Sequence, residues 1–177
     1  MTKYLMILAA LFALVACGED DGNDPVDNEA INDKAQPDAD TTPVWVTDQT
    51  HAGLEWSPLS ENRMKWQEAM DYCEAMGARL PNINELRKII INCPGSTYGG
   101  ACQVSDPDCL NSDCRTYEDC RCDASADSYS ALGDGQIWLW SSSSRVNSAN
   151  DAWNVHFYYG GVYNANKDGN YRARCVR

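Results

Sequence analysis

Nine cysteines stand in a chain of 177 residues, a density suited to an oxidising compartment and not to a reducing cytosol. Setting Cys17 apart, the other eight (Cys73, Cys93, Cys102, Cys109, Cys114, Cys120, Cys122 and Cys175) form an even set, as pairwise disulfides require. Six of them fall between residues 93 and 122, among Gly, Asp and Ser. A zinc site there would need Cys-x-x-Cys spacing or a histidine, and the block has neither. Reactive-thiol catalysis is disfavoured for the same even count, so the eight are read as staples. Asp106, Asp108, Asp113, Glu118, Asp119 and Asp123 share the block and could offer oxygens to calcium. Their spacing is not an EF-hand, and a solvated acidic loop is the plainer reading. No metal and no cofactor is expected.

The histidines are His51 and His156. Neither sits beside a Ser or Cys in a recognisable nucleophile motif. Spatial carboxylate pairs do not show in a sequence, and nothing positively supports them. No catalytic residue is assigned, and the chain is not expected to be an enzyme. Aromatic residues remain: Trp138, Trp140, Trp153, Phe157, Tyr158, Tyr159, Tyr163 and Tyr171 crowd the C-terminal end. Strand alternation puts Trp153, Val155 and Phe157 on one face and Asn154, His156 and Tyr158 on the other, polar one. Tyr158 and Tyr163 are expected as a flat platform with polar tips. Asn154, His156, Asn164, Asn166 and Asp168 would supply hydrogen bonds around it, to a sugar or a peptide. The plainer reading has His156 as an ordinary surface histidine and the sheet covered by its own tyrosines.

These residues need elements to hold them. Gly53-Leu54-Glu55-Trp56 alternates as an early strand. Trp66, Ala69, Met70, Cys73 and Met76 recur at three- and four-residue steps, the pattern of one helix face, with Gly77 at the left-handed C-cap. Lys65 is a poor N-cap for that helix. A second helix follows Pro81, with Asn82 and Glu85 as a capping box and Leu86, Ile89 and Ile90 as its buried side. Residues 93–136 show neither period and read as an irregular insertion held by disulfides. Strand pattern resumes at Ile137–Ser142. A hairpin over Ala152–Val162 is expected to turn at Gly160-Gly161, and a last strand spans Tyr171–Val176. The fold class is α+β: two helices packed on a small antiparallel sheet, with a disulfide-rich loop.

The net charge is -12, against the basic footprint that nucleic-acid binding needs. Most of that charge lies in residues 18–43, with nine acidic residues and one lysine. Val26 and Ile31 are its only large apolar side chains, so the segment is expected to be a disordered, self-repelling tether. Ahead of it, Lys3 and an apolar run too short to span a bilayer read as a signal peptide over residues 1–17. Leu14-Val15-Ala16-Cys17 resembles a bacterial lipobox, which implies cleavage before Cys17 and its acylation. Gly18 takes the place of the aspartate that retains lipoproteins in the inner membrane. The implied address is the outer membrane, lipid-anchored, with the domain at residues 44–177 periplasmic or surface-exposed.

Six motifs then occur in order: Gly53–Trp56, Trp66–Cys73, Arg79–Leu86, Trp140–Ser142, Ala152–Val162 and Arg174–Arg177. Together they resemble the Lcl C-terminal domain family, bacterial surface domains with a C-type-lectin-like fold. The likeness spans residues 45–177 apart from the cysteine-rich insertion, which departs from the family's short connection. It implies a bridge between Cys73 and Cys175. Closing a loop of about 100 residues, that bridge would contribute roughly 4–5 kcal/mol in the chain-entropy model. The pairing of the other six is left open, though Cys120 and Cys122 are expected to have different partners. The family's namesake is a collagen-like adhesin with a glycan-binding role. The resemblance therefore implies a lipid-anchored envelope module that recognises a glycan or a surface protein. The alternative is a structural envelope lipoprotein docked permanently with a partner.

Overall fold

The computed structural model describes residues 43–47, 53–105, 110–111, 120–125 and 127–177. All of these belong to one compact unit, Asp40–Arg177. The signal and lipobox, nearly all of the tether, and Cys109, Cys114, Asp106, Asp108, Asp113, Glu118 and Asp119 lie outside the described residues.

The elements run β1 (Val46–Thr47), β2 (Glu55–Trp56), α1 (Trp66–Ala75), α2 (Ile83–Lys88), β3 (Trp138–Arg145), β4 (Ser148–His156) and β5 (Gly161–Asn166). β1 pairs antiparallel with β2, and β3-β4-β5 form an antiparallel sheet with β4 in the middle. The α+β class with small antiparallel sheets and two helices is thus present.

Local chemistry explains both helices. Ala69 and Cys73 are the fully buried positions of α1, and Gly77 takes φ +66 just past its end, a conformation open to glycine at little cost. The Lys65 side chain contributes no cap, and the Glu68 carboxylate instead accepts from the Lys65 amide at 2.8 Å. At α2 the Asn82 side chain accepts from the Glu85 amide at 2.9 Å while Glu85 accepts from the Asn82 amide at 2.8 Å. This is a complete capping box.

The pleat of β4 divides the core. Trp153, Val155 and Phe157 join Leu139, Val162, Ile83, Leu86 and Ile89 in one buried cluster. Ala152 joins Trp140, Ala69, Cys73 and Cys175 in the other. One helix therefore covers each face of the sheet. Three disulfides link described residues: Cys73–Cys175, Cys93–Cys122 and Cys102–Cys120, with Cα separations of 5.3, 5.8 and 5.0 Å. Cys120 and Cys122 go to different partners.

Between Lys88 and Trp138 the described residues contain no named strand or helix. The insertion is held down by Arg87, which is almost wholly buried. Its Nε donates to Ser96 O at 2.8 Å, its Nη2 to Thr97 O at 2.8 Å, and its Nη1 to Val104 O. Burial pushes the Arg87 guanidinium down to about 10, still protonated at neutral pH.

Two expectations need correction. The β4–β5 connection is not a two-residue turn at Gly160-Gly161. Residues 157–160 make the turn, Gly160 alone takes positive φ (+53), and Gly161 already pairs with His156 in β5. The last segment, 171–177, is not a regular strand either. It touches successive partners through isolated bridges, with Tyr171 to Met64, Arg172 to Leu139, and Val176 to both Trp56 and Arg79. A chain that serves this many neighbours cannot keep one ladder.

Candidate functional site

Alternation alone leaves the polar face of β4 open, but the structure covers it. Asn154 is fully buried, and only 9% of His156 is exposed, so His156 is not a surface histidine. What covers them follows from register. Trp138 of β3 lies directly opposite His156, and Trp140 opposite Asn154. On the other side, Tyr163 of β5 lies opposite Asn154, and Gly161 opposite His156. Alternation can place Trp138 and Trp140 on one face of β3. It cannot say that this face meets that of His156.

The rings form a row. Trp138 stacks on His156 with centroids 4.0 Å apart and planes at 9°. The C-terminal segment bonds to the edge of β3 away from β4, with the Arg172 amide donating to Trp138 O at 3.1 Å. That brings Tyr171 onto Trp138 at 5.4 Å and 24°, so the indole is held between two rings. Tyr163 leans on Trp138 at 5.0 Å and 55°. The row continues through His156 to Tyr159 (5.3 Å, 66°) and from Tyr159 to Tyr158 (4.7 Å, 68°). Trp138, Tyr158, Tyr159, Tyr163 and Tyr171 are all half-buried. The flat platform is thus replaced by a stack seen edge-on, with tyrosines at its rim. Arg121 sits over the Tyr159 ring at 5.8 Å, adding a cation to that end.

Burial sets the electrostatics beneath. The His156 imidazole is pushed down to about 4 by desolvation, so it is neutral at physiological pH. Its Nδ1 has no hydrogen-bond partner among the described residues, and neither have Nδ2 and Oδ1 of Asn154.

The seven residues expected to bind ligand do not form one site. Asn154, His156 and Tyr163 share a face, and Tyr158 joins them through the ring row at the β4–β5 turn. Asn164 and Asn166 pair with Trp153 and Asp151, on the opposite face. Asp168 sits in the turn beyond β5 and pairs with Lys65 at 3.3 Å, both exposed. Trp138, Tyr159 and Tyr171 belong to the row without any sequence signal that marks them as site residues. A separate cleft of about 390 Å³, lined by Pro43, Pro58, Leu59, Met64, Tyr72 and Met76 among others, contains none of them. Among the described residues no His, Cys, Asp and Glu side chains gather as a metal-ligand group. No helix among them is long and apolar enough to cross a membrane.

The fold and the ring row define a small disulfide-clamped α+β module. The chain belongs to the Lcl C-terminal domain family, whose model matches residues 38–177. No curated protein and no solved structure matches it.

Proposed function

We propose that the chain is a lipid-anchored cell-envelope module with a C-type-lectin-like fold, which recognises a glycan or a surface protein and carries out no reaction. The observation that carries this reading is the half-buried tyrosines Tyr158, Tyr159 and Tyr163 along a ring row fixed by the sheet. Partly wet tyrosines supply large contact area at low entropic cost. The lipobox at Leu14–Cys17 and the acidic stretch behind it support an acylated Cys17 and a spacer to an outer membrane. The family supports the envelope address.

The test is a glycan array and an envelope-protein pull-down with the lipid-free domain, repeated with Tyr158→Ala and Tyr163→Ala. Binding in the wild type that falls at least tenfold in either variant is expected. Absence of any captured glycan or protein overturns the reading. Metabolic labelling with a palmitate analogue checks the anchor, and label that persists in Cys17→Ser overturns that part.

A further inference from the structure

The three bridges among the described residues differ in reach. Cys73, Cys175, Cys93, Cys102 and Cys120 are each at most 2% exposed, whereas Cys122 is only partly buried. Cys73–Cys175 and Cys102–Cys120 are thus buried at both ends. A thiol arriving from outside meets Cys93–Cys122 first, and meets it at Cys122.

The buried end of that bridge is fitted to leave. Ser96 Oγ lies 3.6 Å from Cys93 Sγ. A disulfide sulfur carries no proton, so the serine hydroxyl is the donor. Ser96 is fully buried, and its carbonyl is held by Arg87 Nε at 2.8 Å, which fixes the residue beside the sulfur. Exchange is faster when the departing sulfur is stabilised as a thiolate.

The same bridge carries the β4–β5 turn. The amides of Cys122, Ser125 and Tyr129 donate to the carbonyls of Tyr159, Tyr158 and Phe157 at 2.8, 3.0 and 2.9 Å. Tyr158 and Tyr159 end the ring row. Gly160 closes the turn directly against the bridge: a Cβ there would lie 2.9 Å from Cys93 Cβ and 3.0 Å from Tyr129 Cγ. The turn therefore rests on Cys93 and on the segment that Cys122 begins.

We propose that Cys93–Cys122 is a thiol-exchange site, opened by a dithiol through attack on Cys122, and that its opening releases the turn bearing Tyr158 and Tyr159. The reductant's thiolate bonds to Cys122 Sγ as the Cys93–Cys122 bond breaks. Cys93 leaves with the electron pair, accepts from the Ser96 hydroxyl and takes a proton from water. The reductant's second thiolate then attacks its own sulfur in the mixed disulfide, and Cys122 departs and is protonated in turn. The bridge gains two electrons and two protons, and the dithiol loses both. Reduced Cys93 has an acceptor for its new S–H, since Tyr159 O lies 3.9 Å from the sulfur. The inference goes beyond the binding module, because it concerns how the turn is held, whatever the tyrosines recognise.

The experiment uses the whole chain with Cys17→Ser, so that it is obtained without lipid. It is treated with dithiothreitol, quenched with N-ethylmaleimide over time and mapped by peptide mass. Cys93 and Cys122 are expected to be labelled at least tenfold faster than Cys73, Cys175, Cys102 and Cys120. With glutathione, a monothiol, the adduct is expected on Cys122 and the free thiol on Cys93. Another bridge opening first or equally fast, or glutathione found on Cys93, overturns the site. Ser96→Ala should slow the opening at least threefold. A loop merely loosened by that substitution would open faster, so an equal or faster rate overturns the part given to Ser96. The labelling order of the unsubstituted bridge decides the site even if Ser96→Ala does not fold. In the partly reduced, uncapped chain, hydrogen exchange at the amides of Cys122, Ser125 and Tyr129 should rise at least tenfold while β3 and β4 stay protected. Unchanged exchange at those amides overturns the release of the turn.

Discussion

The sheet β3–β5 and the insertion between α2 and β3 are held in different ways. Leu139, Trp153, Val155, Phe157 and Val162 sit at zero exposure against Ile83, Leu86 and Ile89, and Trp140 and Ala152 pack with Ala69 of α1 on the other face, so the sheet is held by apolar contact on both sides of its pleat. The insertion has no ladder of its own among the described residues. It is pinned by Cys93–Cys122 and Cys102–Cys120 and by one guanidinium that collects the carbonyls of Ser96, Thr97 and Val104. A segment rich in Gly, Asp and Ser has too little apolar surface to offset its ordering entropy. Covalent links and a buried cation supplement the few apolar anchors, Val104, Leu110 and Leu132, that the insertion sends into the core.

The largest way to break this contrast is to cut the bond shared by the whole domain. Replacing Cys73 and Cys175 together by Ala opens a link across 102 residues, and denaturant unfolding should show a loss of about 4–5 kcal/mol. Arg87→Met acts on the insertion alone. It strips three buried carbonyls of their donors and should cost about 3 kcal/mol. Hydrogen exchange should rise at residues 93–105 while β3–β5 stay protected. Equal deprotection of both would show that the two regions are one cooperative unit.

Acid sharpens the comparison from the sheet's side. The folded value of His156, about 4, lies below the ordinary 6.5, so the unfolded chain binds more protons between them. Stability is full above pH 6.5 and declines as pH falls through about 4, by up to about 3 kcal/mol. His156→Phe should remove that part of the slope in melts from pH 7 to pH 3.5, and a slope unchanged by the substitution would refute it. The smallest effect is at the rim: Tyr158→Ala should cost about 1 kcal/mol, because its ring is only partly buried.

Much of this architecture is legible in the sequence. Asn82 and Glu85 announce their helix start, Gly77 marks a helix end, and the three-four spacing of Ala69 and Cys73 identifies the buried side of α1. These signals are local, carried by residues that solve their own hydrogen-bond or backbone problem. The site is harder because it depends on register. Asn164 and Asn166 read as companions of Asn154, yet odd and even spacing sends them to the other face. Tyr171 becomes a site residue only because the C-terminal segment runs beside β3, which no nearby residue signals. The turn is four residues ending at Gly160, not two at Gly160-Gly161, since the two glycines look alike in sequence. Only Gly160 needs positive φ; Gly161 is small because the Tyr163 ring lies on it.

The chain's final residue is laced to one of its early strands. Arg177 and Glu55 exchange two backbone hydrogen bonds of 3.1 Å and a side-chain ion pair of 2.6 Å, and two residues back Cys175 is bonded to α1. Entry and exit are thus buttoned together at one corner. A pull arriving through the segment ahead of Glu55 is borne there, as shear on a few rungs backed by sulfur. The middle strand β4 shares none of these links, so a load on that corner bears on β2 and α1 before it bears on the centre of the sheet.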